Sequence, residues 1–141
     1  MLQKVKMVLK NLIKDKEDKM YRYFKKSEFA CTCGCGTNKI DEDFIMLLDD
    51  AREVSKTDYF INSGYRCENH PLSKINPTSS HIDGVAADIR CVNSEARAYI
   101  VAGLAAVGFS RMGLAGKDKG NFIHVDSGEN QGKPSPRIWL Y

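Results

Sequence analysis

Apolar and polar positions along the chain follow two different periods, and the switches between them divide it into elements. Leu2, Val5, Leu9, Leu12 and Ile13 recur at helical spacing with lysines between them, which predicts an amphipathic first helix. The charged run Lys14-Asp15-Lys16-Glu17-Asp18-Lys19 then reads as a linker or a solvated helical turn. From Asp41 the pattern is helical again: Phe44, Ile45, Leu47, Leu48, Ala51 and Val54 mark an apolar stripe, and Asp41, Glu42 and Asp43 place negative charge where the helix dipole favours it. Tyr59 to Arg66 starts as a β-rich run and breaks at Gly64, predicting a strand that feeds a loop presenting Arg66. Residues 67 to 80 are rich in Pro, Asn and Ser and read as a loop over the site, and Val85 to Cys91 as the next strand. Ser94 is the expected N-cap of a helix from Glu95 to about Val107, with Ala98, Ile100, Val101, Leu104 and Ala105 inward and Gly108 as its stop. Strands follow at Phe109 to Leu114 and Asn121 to Asp126, separated by a loop over residues 113 to 120, and apolar Ile138 to Tyr141 is expected to dock on the sheet.

Residues 1–22 form a basic amphipathic helix and charged linker, and residues 23–141 form the compact domain. A chain of 141 residues buries enough surface to fold without a disulfide or metal framework, so a metal site in it is expected to serve chemistry. Apolar and charged fractions of 43% and 28% are those of a globular domain.

The net charge of +3 conceals an asymmetry: residues 1 to 26 carry +6 and the remainder carries −3. The basic character is confined to the N-terminal segment, and no aromatic stacking platform accompanies it, which argues against specific nucleic-acid binding. Lys4, Lys6 and Lys10 interrupt the apolar core a signal peptide needs, and no apolar run reaches membrane-spanning length. The expectation is a chain without a transmembrane segment, cytoplasmic at synthesis.

Five cysteines, Cys31, Cys33, Cys35, Cys67 and Cys91, are an odd number and argue against a full disulfide set. Cys31, Cys33 and Cys35 alternate at i, i+2 and i+4. They fit small buried thiols in a Gly-rich loop better than a zinc knuckle, whose usual spacing is C-x2-C with a second pair elsewhere.

Two stretches carry the candidate chemistry: His81-Ile82-Asp83-Gly84-Val85-Ala86-Ala87-Asp88 and Phe122-Ile123-His124-Val125-Asp126. They hold two of only three histidines, each close to an aspartate. Two histidines and one carboxylate, with a fourth position for water, are a recurring catalytic zinc set. The helical H-E-x-x-H route to it is absent, so strands and loops must assemble it. Side chains alternate along a strand, so Phe122, His124 and Asp126 share one face and Ile123 and Val125 the other, while Asp88 lies with Ala86 and Arg90. Gly84 permits a backbone angle other residues resist, letting the loop fold back so that both ends face one point. His70 lies in a polar loop and reads as a substrate-side residue or an ordinary loop histidine.

The order S-G-Y-R (Ser63 to Arg66), S-x-H-x-x-G-x-A-x-D (Ser79 to Asp88) and F-I-H-V-D (Phe122 to Asp126) resembles the M15 group of zinc D-Ala-D-Ala carboxypeptidases and murein endopeptidases, in particular its phage and bacterial branch ending in H-V-D. The resemblance spans about residues 23 to 141. It implies an α+β fold of the hedgehog and DD-peptidase type, an antiparallel sheet with helices packed on it, one Zn2+ per chain held by His81, Asp88 and His124, and Arg66 close to the substrate carboxylate or developing oxyanion. Ser79 holds the serine position of the motif and is expected to orient a ligand or substrate. The implied substrates are peptidoglycan stem or cross-bridge peptides, cleaved by a monomer that reaches the cell wall by export or by release in phage lysis.

Several members of that group place an acid three positions before the last zinc histidine. Here the position is Asn121, which takes no proton from water. Asp126, on the strand face of His124, is the first candidate for the general base; an outer carboxylate that supports the histidine is the equal alternative, and Asp83 and Asp118 rank lower. Asn121 also keeps open a non-hydrolytic metal-binding module of the same fold, a wall-binding or virion structural protein.

Overall fold

In the computed structural model, which describes residues 2–8 and 21–141, the short β-rich runs pair into a single sheet. Its strands are β1 (Ile61–Ser63), β2 (Ala86–Arg90), β3 (Arg111–Ala115), β4 (Phe122–Asp126) and β5 (Arg137–Leu140), in the order β1-β2-β4-β3-β5. Residues 2–8 are helical with exposed side chains and form α1. Leu9, Leu12, Ile13 and the charged run from Lys14 to Lys19 lie outside the described residues. The other helices are α2 (Glu42–Ser55), α3 (Pro71–Ile75) and α4 (Ser94–Ala106), with 3-10 turns at Lys26–Phe29, Lys117–Lys119 and Gly128–Gln131. Among the described residues no helix is long and apolar enough to cross a membrane.

The fold is α+β, as expected, but the sheet is mixed. β1, β2, β4 and β3 pair antiparallel, whereas β5 runs parallel to β3. Parallel neighbours normally need a long crossover. Here β4 intervenes in sequence: its last residue, Asp126, ends near Arg111 at the start of β3, so a ten-residue link is enough to bring Arg137 opposite Arg111 and send β5 along β3.

α2 starts where the sequence places it, with the Asp41 carboxylate accepting from Phe44 N at 2.9 Å, and ends at Lys56 in the left-handed region. Its inward face holds Phe44, Ile45, Leu48 and Ala51; Val54 is exposed, because it falls on the edge of the stripe in the last turn. Asp49 is buried in the same helix and accepts from the backbone N–H groups of Arg22 and Tyr23 and from Arg22 Nε, fastening the chain at its entry into the domain. α4 is capped by Asn93, not Ser94: the Asn93 side chain accepts from Ala96 N at 2.8 Å. Ala98 and Ala105 face solvent, and Ile100, Gly103 and Leu104 face inward. A Cβ on Gly103 would lie 2.6 Å from Ser55 Cβ and 2.7 Å from the Ala51 carbonyl, so this glycine sets how closely α4 approaches α2. The stretch from 67 to 80 is not all loop, since Pro71 at the first helical turn starts the short α3.

One core joins Phe44, Ile45 and Leu48 of α2, Ile100 and Leu104 of α4, and Ile89, Met112, Ile123 and Val125 of the sheet. Burying each such side chain contributes about 1.5–3 kcal/mol. These sheet residues share the face that packs against the helices. Their strand neighbours Ala86, Asp88, His124, Asp126 and Gly113 occupy the opposite face.

Candidate metal centre

Strand pairing brings the two sequence motifs together. Asp88 on β2 is the direct partner of His124 on β4, and Ala86 is the partner of Asp126. Directly paired residues point to the same side of a sheet, so the carboxylate and imidazole meet on the face away from the core.

His81 arrives from a tight turn, held by Ile82 N to Ser79 O at 3.0 Å, Gly84 N to His81 O at 3.3 Å and Val85 N to Ser80 O at 3.2 Å. Gly84 has φ +73°, and a Cβ there would overlap the Lys39 carbonyl. The Gly84 carbonyl in turn accepts from Asp41 N at 2.8 Å, tying the turn to the start of α2. The His81 carbonyl accepts from Arg66 N at 3.1 Å, which brings the Arg66 loop alongside.

His81 Nδ1 lies 2.7 Å from the Gly64 carbonyl. A carbonyl only accepts, so Nδ1 carries the proton and Nε2 presents a lone pair, 3.3 Å from Asp88 Oδ1. His124 Nδ1 lies 3.1 Å from the same Asp88 oxygen, while its Nε2 is 2.6 Å from Asp126 Oδ2. One donor atom each from His81, Asp88 and His124 therefore lies within 4.8 Å of the others, all three residues being buried. Two nitrogens and a carboxylate oxygen suit zinc, and both imidazoles have their remaining nitrogen on a carbonyl or carboxylate, the support that fixes ring orientation in metal sites. The residues present fit the ion.

Asp88 has its second oxygen engaged as well: Arg66 donates through Nη2 to Oδ2 at 3.0 Å and through Nε to Ser63 Oγ at 3.0 Å. Burial works against the Asp88 charge, yet the His124 and His81 imidazoles beside it hold its carboxyl well below the usual range. Burial disfavours the His124 imidazolium too, but Asp126 and Asp88 together leave its pKa raised.

Asp126 stands behind His124, with both oxygens occupied. Oδ1 accepts from Arg111 Nε at 2.6 Å and Gly128 N at 2.8 Å, and Oδ2 faces His124. Burial raises its pKa, but His124 and Arg111 outweigh it and bring the carboxyl down to about 2.

Ser79 Oγ accepts from His81 N at 3.3 Å and so helps shape the turn that carries the ligand. His70 caps α3, its Nδ1 accepting from Leu72 N at 3.1 Å, with Nε2 3.5 Å from Thr32 Oγ1. Asp83 and Asp118 are exposed. Asn121 has φ 52°, a conformation asparagine tolerates better than most residues, and its backbone is bonded to Cys91 N and the Gly116 carbonyl.

Three residues of this face were not assigned to the site by the sequence reading, which placed Trp139 and Tyr141 only in a terminus docked on the sheet. Arg111 anchors Asp126, Trp139 lies with its ring 5.5 Å from that of His124, and Tyr141 packs 5.1 Å from Phe122. Gly113, paired with both His124 and Trp139, makes room for them: a Cβ there would meet the Trp139 indole and the Tyr141 ring. The Arg111 guanidinium also lies 5.3 Å over the Trp139 ring. Alternation along β3 would have placed Arg111 and Gly113 on this face, had the β3–β4 register been readable.

A family model described as Peptidase M15 matches residues 22–126, a span that contains Arg66, His81, Asp88, His124 and Asp126. No curated protein and no solved structure matches the chain.

Proposed function

The chain belongs to the Peptidase M15 family; we propose that it is a zinc-dependent peptidase that hydrolyses peptide bonds in peptidoglycan stem or cross-bridge peptides, as a D-Ala-D-Ala carboxypeptidase or a murein endopeptidase. The observation that carries the proposal is the convergence within 4.8 Å of His81, from a turn, with Asp88 and His124, from paired strands. In this reading His81 Nε2, Asp88 Oδ1 and His124 Nδ1 hold the ion. Zinc in such a set supplies Lewis acidity, polarising a carbonyl and lowering the pKa of water toward neutrality.

The remaining roles belong to the chain. Arg66 fixes the outer oxygen of Asp88 and brings a guanidinium to the substrate side, where it holds a peptide carboxylate or the oxyanion that forms at the scissile carbonyl. Ser79 keeps the turn of His81 in shape, and Trp139 walls one side of the site. Asp126, whose two oxygens are both engaged, orients His124 and keeps the proton on Nε2. The other role expected of it, taking the proton from water, requires it to give up that contact.

Asn121 and the fully engaged Asp126 favour one second reading, a metal-binding module that holds wall peptides without cutting them. Incubation of zinc-loaded protein with purified peptidoglycan decides between the two. New amino termini or released D-alanine, lost on chelation, restored by zinc and absent from His124→Ala, support the peptidase; binding without cleavage across several pH values establishes the module.

A further inference from the structure

A second convergence of metal-binding side chains lies outside this site. Cys31, Cys33 and Cys35 sit in a turn that Gly34 (φ +90°) and Gly36 (φ +71°) fold back on itself, so the chain is not extended there, and Cys33 and Cys35 are exposed instead of buried. Cys67, buried, comes from the loop that carries Arg66. The four Sγ atoms lie within 4.8 Å of one another. Cys31 Sγ is 3.5 Å from Cys33 Sγ, which is 3.4 Å from Cys67 Sγ.

A zinc–sulfur bond of about 2.3 Å gives a tetrahedron of thiolates with edges of about 3.8 Å. A disulfide needs sulfurs about 2.05 Å apart and would use them two at a time. The observed spacing is that of four sulfurs around a shared centre. Backbone N–H groups also point at the sulfurs: Cys67 N donates to Cys31 Sγ at 3.3 Å and Thr37 N to Cys35 Sγ at 3.4 Å. Such donors stabilise thiolate charge around a metal.

We propose that Cys31, Cys33, Cys35 and Cys67 form a tetrathiolate site for one structural zinc ion, separate from the His81, Asp88 and His124 set. Binding releases the thiol protons to solvent and requires no redox partner. The site clips the turn after the first 3-10 segment to the residue next to Arg66, reinforcing the bond from Tyr65 N to the Phe29 carbonyl at 2.8 Å. The sequence hid it because the fourth ligand lies 32 residues beyond the third and the first three follow a C-x-C-x-C spacing.

Cobalt reconstitution of the reduced, metal-free full chain tests the proposal. The expected result is a near-ultraviolet thiolate-to-cobalt charge-transfer band, which a His and Asp site cannot produce, and two metal ions per chain. His124→Ala keeps the band and falls to one ion. Cys33→Ser and Cys67→Ser lower the band by at least one thiolate's share and loosen that ion, while the histidine site keeps its own. A reduced, folded chain with no charge-transfer band overturns the proposal whatever happens at the histidines, as does a disulfide joining any two of the four cysteines in zinc-loaded protein. If the cysteine variants do not fold, the spectrum of the unaltered chain decides.

Discussion

Asp126 reaches Nε2 of His124 at 2.6 Å from two positions along the same strand, and Arg111, its neighbour across the sheet, holds the opposite oxygen. An imidazole so backed has one nitrogen left for a metal. Asp126→Asn is therefore expected to weaken zinc binding about 10–100-fold, read by competition with a chromophoric chelator. Unchanged affinity with lost turnover would return Asp126 to the role of proton acceptor.

Arg66 uses a planar fork to span Ser63 and Asp88, and a lysine cannot reproduce it. Arg66→Lys is predicted to keep its zinc and lose about 100-fold in kcat/KM on peptide substrates. Wild-type kinetics in that variant would remove Arg66 from the substrate side.

Gly84→Ala combines a left-handed backbone angle with overlap on the Lys39 carbonyl. The two effects together should cost about 2–4 kcal/mol of stability, measured by urea denaturation of the metal-free protein. A cost below about 1 kcal/mol would show that the turn adapts more readily than close backbone packing allows.

Tyr59 is 1% exposed, with its hydroxyl 3.5 Å from the Ile100 carbonyl. Burial raises its pKa, only partly offset by Ser55 and Arg52. The folded state thus holds the phenol proton more tightly than the unfolded chain does. That contribution is complete below about pH 10 and is lost as pH rises through the higher folded value. Tyr59→Phe should therefore lose less stability than wild type between neutral and strongly alkaline pH; parallel alkaline limbs in the two proteins would contradict the assignment.

The convergence of His81, Asp88 and His124 was legible because its information is local. H-x-x-G-x-A-x-D fixes a turn and a strand, and F-I-H-V-D fixes the face of His124. The two long helices, α2 and α4, were legible for the same reason, with small errors where two candidates compete locally: Asn93 and Ser94 are adjacent capping residues, and Val54 continues a period after the stripe has turned outward. What the sequence could not supply was register between distant segments. The parallel pairing of β5, the Arg111–Asp126 pair, the buried Asp49 clasp and the approach of Cys67 to the other cysteines all depend on which residue lies opposite which after folding. The role of Asp126 belongs to the same class, since only its neighbours distinguish a supporting carboxylate from a base.

Gly113 leaves its space to Trp139, and Trp139 is the only tryptophan in the chain. Its indole lies beside the His124 imidazole and under the Arg111 guanidinium, so zinc held by His124 would bring a metal charge close to the ring. The molecule thus carries its own optical reporter: titration of metal-free protein with zinc should shift or quench the intrinsic emission in proportion to occupancy of the histidine site, with no label attached.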